Sequence, residues 1–211
     1  MSTNSSEARP SRRRPGRPRG QDSAVVREAV LRAAIALIAE HGYAATSMAQ
    51  VAEAAGISPS GLVHHFPSKA ALLGAVLDHR DAMDALEETD APPPWDVFDG
   101  LVTLARTNSG RRPLVALYMT VIGEAASPGH PAHGWMRRHY EGSHQLLVDA
   151  VHEGQREGTI RADAPAERIA RSTIALMDGL QVQWLLDPEV DMSAELGAHV
   201  DALKQRWGLT P

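Results

Sequence analysis

Thr46, Ser47, Ser58, Ser60, His64, His65 and Lys69 fall within one stretch of the chain. Hydroxyls, imidazoles and an ammonium can hold an anion or the edge of a base by hydrogen bonds. What they do depends on the elements that carry them. Ser47 with Gln50 fits the capping box S/T-x-x-E/Q, which satisfies free N–H groups at a helix start. Met48, Val51, Ala52 and Ala55 then follow i, i+3, i+4, i+7, one apolar face. Gly56 sits where that face ends, the usual place for a left-handed residue. Ser58 and Pro59 read as N-cap and N1 of a second helix. Leu62 and Phe66 give that helix one narrow apolar stripe, Pro67 stops it, and Ser68 caps the next. Two short helices joined by a glycine turn form the helix-turn-helix pattern. The polar face of the second helix (Ser60, Gly61, Val63, His64, His65) suits the major groove of DNA. Spacing alone fits a plain hairpin in an all-α core equally well.

Other chemistry is thinly represented. The ten histidines include none paired at i, i+4, and no H-E-x-x-H is present. Glu141-x-x-His144 occurs once, whereas a di-iron bundle needs that motif twice with two further glutamates. No Gly-x-Ser-x-Gly, P-loop or dinucleotide glycine fingerprint is found. The chain has no cysteine, hence no thiol nucleophile, thiolate site or disulfide. These features predict no catalytic residue, metal or cofactor. Asp178, among Ile174, Met177 and Leu180, is the one carboxylate expected to be partly buried, with a helix cap, an interface bond or a ligand as its possible partners.

At 211 residues and 43% hydrophobic content, the chain can bury a substantial core. It has no run of eighteen apolar residues to span a membrane, and its polar, Arg-rich N-terminus is no secretory signal. The expected compartment is the cytoplasm. The formal net charge of −5 is unevenly spread. Residues 1–20 carry six arginines against Glu7, residues 21–75 are nearly balanced, and the remainder is acidic. A basic tail beside a helix-turn-helix is a nucleic-acid signal.

Residues 1–21, rich in Ser, Arg, Pro and Gly, are expected to be a disordered basic arm. Its Pro15-Gly16-Arg17-Pro18-Arg19 partly resembles an AT-hook, with Pro15 where that motif usually has Arg. Arg17 and Arg19 would then enter a minor groove, or only touch phosphates; both use the same charges. A helix over 22–41, capped by Asp22 or Ser23 and ended by Gly42, carries Val26, Val30, Ala33 and Leu37 on one stripe. Further helices are predicted from Ser68 to about Glu88 and at about 95–108, 112–126, 131–157, 165–186 and 192–207, separated by Pro- and Gly-containing breaks. With no sustained period-two alternation, the expected fold is all-α, with no sheet.

Residues from about 25 to 75 resemble the DNA-binding half of the tetracycline-repressor (TetR) family, above all in Gly56-Ile57-Ser58 and His64-His65-Phe66-Pro67-Ser68-Lys69. The stretch from Leu176 to Pro188 is similar to the end of that family's regulatory domain. The resemblance implies a helix-turn-helix domain over 22–68 and a ligand-binding and dimerisation bundle over 69–211. It implies a homodimeric repressor, released by a small effector from a palindromic operator. Thr46, Ser47, Ser58, Ser60, His64 and Lys69 would anchor phosphates; Gly61, Val63 and His65 would face base edges. Val63 replaces the family's usual Tyr, removing a phosphate-binding hydroxyl. Gly61 costs about 1 kcal/mol relative to Ala in a helix, which close approach of backbone to DNA would explain. The family's inducer cavity is expected to hold a mainly apolar effector among Phe98, Tyr118, Met119, Trp135, Met177, Asp178 and Trp184. The stripe Ile169, Thr173, Leu176, Leu180, a second with Ile174, Met177 and Leu185, and a third with Leu196, Val200, Leu203 and Trp207 fit either an ordinary intramolecular core or helices 165–186 and 192–207 that also bury surface against a second copy, and the dimer is the expectation. Two other functions fit parts of the sequence: a helical metalloprotein or ligand carrier without DNA binding, and an architectural DNA-binding protein without an effector.

Overall fold

The computed structural model describes residues 19–84 and 93–209, with side chains from Ser23 onward. Among them are nine helices and no strand. α1 (Arg19–Ala45), α2 (Met48–Ala54) and α3 (Pro59–His65) form the head. α4 (Lys69–Asp84) leads into a body of α5 (Pro94–Asn108), α6 (Arg112–Ala125), α7 (His133–Glu157), α8 (Ala166–Leu186) and α9 (Met192–Trp207). α1 begins at Arg19, ahead of Asp22 and Ser23, so neither residue caps it. Arg17 and the rest of the basic arm up to residue 18 lie outside the described residues, as does the expected end of α4 near Glu88.

The head is built as its local chemistry dictates. Ser47 Oγ accepts from Gln50 N at 3.2 Å, and Gln50 Oε1 accepts from Ser47 N at 2.8 Å. Gly56 takes φ 69° at the turn, a conformation that is unstrained only for glycine. Ser58 Oγ accepts from Gly61 N at 3.1 Å, and Ser68 Oγ from Ala71 N at 3.1 Å. Leu62 and Phe66 point inward and are buried. Gly42 breaks α1 with φ 79° and ψ 163°. The chain turns there toward α2.

Three apolar clusters hold the molecule together. One joins the head to the body: Val30, Ile38, Leu62 and Phe66 pack with Leu73 of α4, Leu117 and Val121 of α6 and Met136 of α7. The second gathers Phe98, Leu147, Val151, Ile169 and Val200 from α5, α7, α8 and α9. The third holds Ala105, Val115, Met177, Leu180, Trp184 and Leu196.

Candidate nucleic-acid interface and ligand cavity

α3 is oriented by its buried side. Leu62 is 0% exposed and Phe66 closes the helix, which leaves Ser60, Val63 and His64 facing outward. Val63 is 51% exposed. His64 and His65 meet edge to face at 5.7 Å. Ser47 and Ser58 lie at the exposed N-termini of α2 and α3. Two assigned residues have prior engagements. Thr46 is buried, and its hydroxyl lies 2.9 Å from the Gly42 carbonyl and 3.2 Å from that of Leu37, to either of which it donates. It holds the α1–α2 corner, so a phosphate could reach only its backbone. Lys69 Nζ donates to Ala44 O at 3.1 Å and sits 4.3 Å over the Tyr43 ring. Gly61 has a reason inside the chain: a Cβ there would stand 3.2 Å from Ser58 Oγ and crowd the cap.

The same corner is clasped from the body. Tyr43 N donates to Glu124 Oε1 and Oε2 at 3.2 and 3.3 Å. His130 Nε2 is 3.4 Å from Glu124 Oε2, and the His130 ring meets the Tyr43 ring edge-on at 5.1 Å. The clasp joins the end of α6 to the end of α1, a link that bypasses α4.

The residues expected around one effector do not share one cavity. Phe98 is packed inside the second cluster. Met177 and Trp184 are in the third, where Arg112 lies over the Trp184 ring at 5.3 Å. Met119 packs partly buried between the first and third clusters. Tyr118, Asp178 and Trp135 instead border a polar interior between α4, α6, α7 and α8. Arg80 is 5% exposed, its guanidinium 3.5 Å over the Tyr118 ring and 3.1 Å from Asp84 Oδ2. Arg111 reaches Asp84 Oδ1 at 3.3 Å. Tyr140 donates to Asp178 Oδ2 at 2.5 Å. Burial raises the pKa of the Asp178 carboxyl, against the lowering effect of the Tyr140 hydroxyl. Burial also raises Asp84, opposed by Arg80 and Arg111, and raises both tyrosines.

Beside Asp178 a cavity of about 310 Å³ opens between α7 and α8, walled by Tyr140, Glu141, His144, Arg171, Ile174 and Ala175. A second, of about 390 Å³, lies between α4 and α7. There Trp135 stacks on His139 at 5.0 Å and donates to Asp78 Oδ1 at 3.1 Å. Sequence reasoning placed Asp178 and Trp135 at a ligand site but not Tyr140 or Arg171, and it weighed Glu141 and His144 only as a metal motif. Their spacing was a usable signal: positions 140, 141 and 144 share one face of α7, and 171, 175 and 178 share one face of α8. Among the described residues no three His, Asp or Glu side chains gather as metal ligands.

The stripes expected to meet a second copy are spent within the protomer. Ile169 and Leu180 are buried, Thr173 is fully buried with its hydroxyl on Ile169 O and His199 Nε2, and Leu203 packs on the second cluster. The outward face of α8 carries Ser172, Ala175, Gly179, Val182 and Leu186 instead. Val182 is 46% and Leu186 82% exposed. α9 turns Ala194, Ala198 and Ala202 outward.

Residues 30–76 match the model of the bacterial regulatory proteins of the tetR family, and residues 98–205 match the C-terminal domain of BetI-type transcriptional repressors. The HTH-type transcriptional regulator TtgR of Pseudomonas putida is 28% identical over 207 residues, covering 90% of this chain and 95% of the relative. Two solved structures share the fold. A TetR transcriptional regulator from Chloroflexus aurantiacus superposes with a TM-score of 0.77 at 22% identity, covering 90% of this chain and all of the other. The SmeT–triclosan complex gives a TM-score of 0.73 at 19% identity over 87% and 92% of the two chains; SmeT is the repressor of a Stenotrophomonas maltophilia multidrug efflux pump.

Proposed function

The chain belongs to the tetR family of bacterial regulatory proteins, a DNA-binding transcriptional regulator and not an enzyme, and from that premise we propose that it is a cytoplasmic, homodimeric repressor released from its operator by a small molecule. The outward polar face of α3, fixed in direction by Leu62 and Phe66, carries the reading. Two such heads enter successive major grooves about 34 Å apart, on an imperfect palindrome. Ser47, Ser58, Ser60, His64, Lys69 and the helix N-terminal amides grip phosphates, while Gly61, Val63 and His65 face base edges. The basic arm with Arg17, and Arg19 at the start of α1, add salt-dependent attraction. The protomers meet through the small and apolar outward faces of α8 and α9, where small residues such as Gly179 let helices approach closely.

The effector is an amphipathic molecule rather than the mainly apolar one expected among Phe98 and Trp184. It enters beside Asp178, its apolar part against Ile174 and Ala175 and a hydrogen-bond donor toward the carboxylate. A protein of the same fold holds triclosan. Release requires that the effector prefer the arrangement in which the heads are misplaced. Effector and operator must then weaken each other by the same factor. The test is a footprint of the protein on DNA flanking its own gene, with and without candidate amphipathic effectors. Two symmetric protected half-sites, lost on adding an effector, are expected. A folded dimer that protects no DNA refutes the reading.

A further inference from the structure

Val63 stands out on α3. It is 51% exposed, on a short helix whose apolar needs are met by Leu62 and Phe66. Pro59, one turn earlier, is exposed beside it, so the two make an apolar edge on a face otherwise composed of Ser60, His64 and His65. Among the described residues this edge stays exposed. The major groove offers Val63 two kinds of surface. Phosphates line the walls, and a valine can give them no donor; pressing its methyls on a phosphate removes water and replaces it with nothing. The floor carries donors, acceptors and one apolar group, the C5-methyl of thymine. The serine-capped start of α3 and the inward Leu62 fix the helix rotation, so Val63 cannot turn back into the core.

We propose that Val63 reads a thymine methyl, so that each operator half-site carries a thymine whose methyl is required at the Val63 position. This rests on the DNA-binding reading above and adds the base chemistry that the recognition helix demands. Val63 thus specifies a base where a tyrosine hydroxyl would only grip the backbone.

The experiment uses the full-length protein and a duplex obtained by selection from random DNA. Each thymine is replaced in turn by uracil, which removes the methyl alone, and affinities are measured for wild type, Val63→Ala and Val63→Thr. One thymine in each half-site should be sensitive, with uracil weakening wild-type binding about fourfold, the worth of one buried methyl. Val63→Ala should bind the thymine duplex more weakly by a similar factor and be indifferent to uracil there; Val63→Thr, which keeps one methyl, should fall between. Restoring the methyl as 5-methylcytosine in place of a cytosine at that position should recover part of the wild-type affinity and none for Val63→Ala. The exposed position lets all variants fold, which equal melting temperatures verify. A duplex that binds well but shows no thymine at which uracil costs wild type more than Val63→Ala overturns the inference while leaving DNA binding intact. A chain that selects no duplex overturns the parent reading and this one with it.

Discussion

Gly42 and Glu124 can be tested as a pair. Gly42 has φ 79° and ψ 163°, a region of backbone space that is nearly glycine-only and costs other residues about 1–3 kcal/mol. A Cβ on Gly42 would also fall 2.8 Å from Glu124 Oε1. That oxygen ends a flexible side chain and would swing away, but in doing so it would release the Tyr43 N–H it accepts at 3.2 Å. Losing a hydrogen bond to a charged acceptor costs about 1.5–3 kcal/mol at a buried site, and less at this half-buried one. Gly42→Ala should therefore cost about 2–4 kcal/mol, and Glu124→Ala about 1–2 kcal/mol from the unpaired N–H alone. In the double variant the bond is lost once rather than twice, so the backbone strain adds to a single unpaired N–H. The two changes should then cost less together than their sum, by about 1 kcal/mol. Urea unfolding followed by circular dichroism, at one fixed protein concentration, measures all four corners of the cycle. Additivity within about 0.3–0.5 kcal/mol would refute the argument that the carboxylate clasps this corner.

Four further outcomes follow from the described geometry. Arg80→Ala should destabilise the protein by about 3–5 kcal/mol, because it leaves a buried carboxylate with one partner fewer; denaturant midpoints measure it, and a cost below about 1 kcal/mol would contradict the buried pair with Asp84. Val182→Glu, on the outward face of α8, should give a folded monomer in sedimentation, whereas Leu180→Asp should unfold the protomer itself; a dimeric Val182→Glu would move the interface elsewhere. Burial raises the Asp178 pKa in the folded state, so the folded protein keeps a proton that the unfolded chain has already released just above the ordinary carboxyl value of 3.8. Stability therefore falls as pH rises through that window and stays lower above it. Asp178→Asn, whose amide oxygen can still accept from Tyr140, should flatten that part of the melting profile and raise the melting temperature at pH 7. Deleting residues 1–18 removes five arginines and one glutamate, and should flatten the salt dependence of operator binding; an unchanged slope would take the arm off the DNA.

What the sequence made legible was local. Ser47 with Gln50, Ser58 with Pro59, and Gly56 set helix ends through bonds made within a few residues, and each formed as the spacing required. Helix periodicity likewise marked which residues turn inward. It could not say which other helix they meet. Tyr43 and Glu124 are 81 residues apart and Tyr140 and Asp178 are 38 apart, and no pattern in either segment names its partner. Buried aromatics look alike in sequence, so Phe98 and Trp184 were grouped with Tyr118 although they fill different cores. α8 misled for a related reason. Its large apolar residues are consumed by neighbours in the same protomer, and its outward face is marked by small residues such as Ala175 and Gly179, which carry little hydrophobic signal.

The first cluster runs without a break from Val30 and Phe66 through Leu73 to Leu117, Val121 and Met136. The helix-turn-helix therefore shares its core with α6, and severing it from α6 would strip one wall from its interior. In engineering terms the reading head is not an interchangeable cartridge. A chimera that grafts residues 19–84 onto a foreign body would inherit the outward side chains of α3 but not the surface that keeps them standing. To transplant its operator preference, the matching face of α6, with Leu117, Val121 and Glu124, has to travel with it.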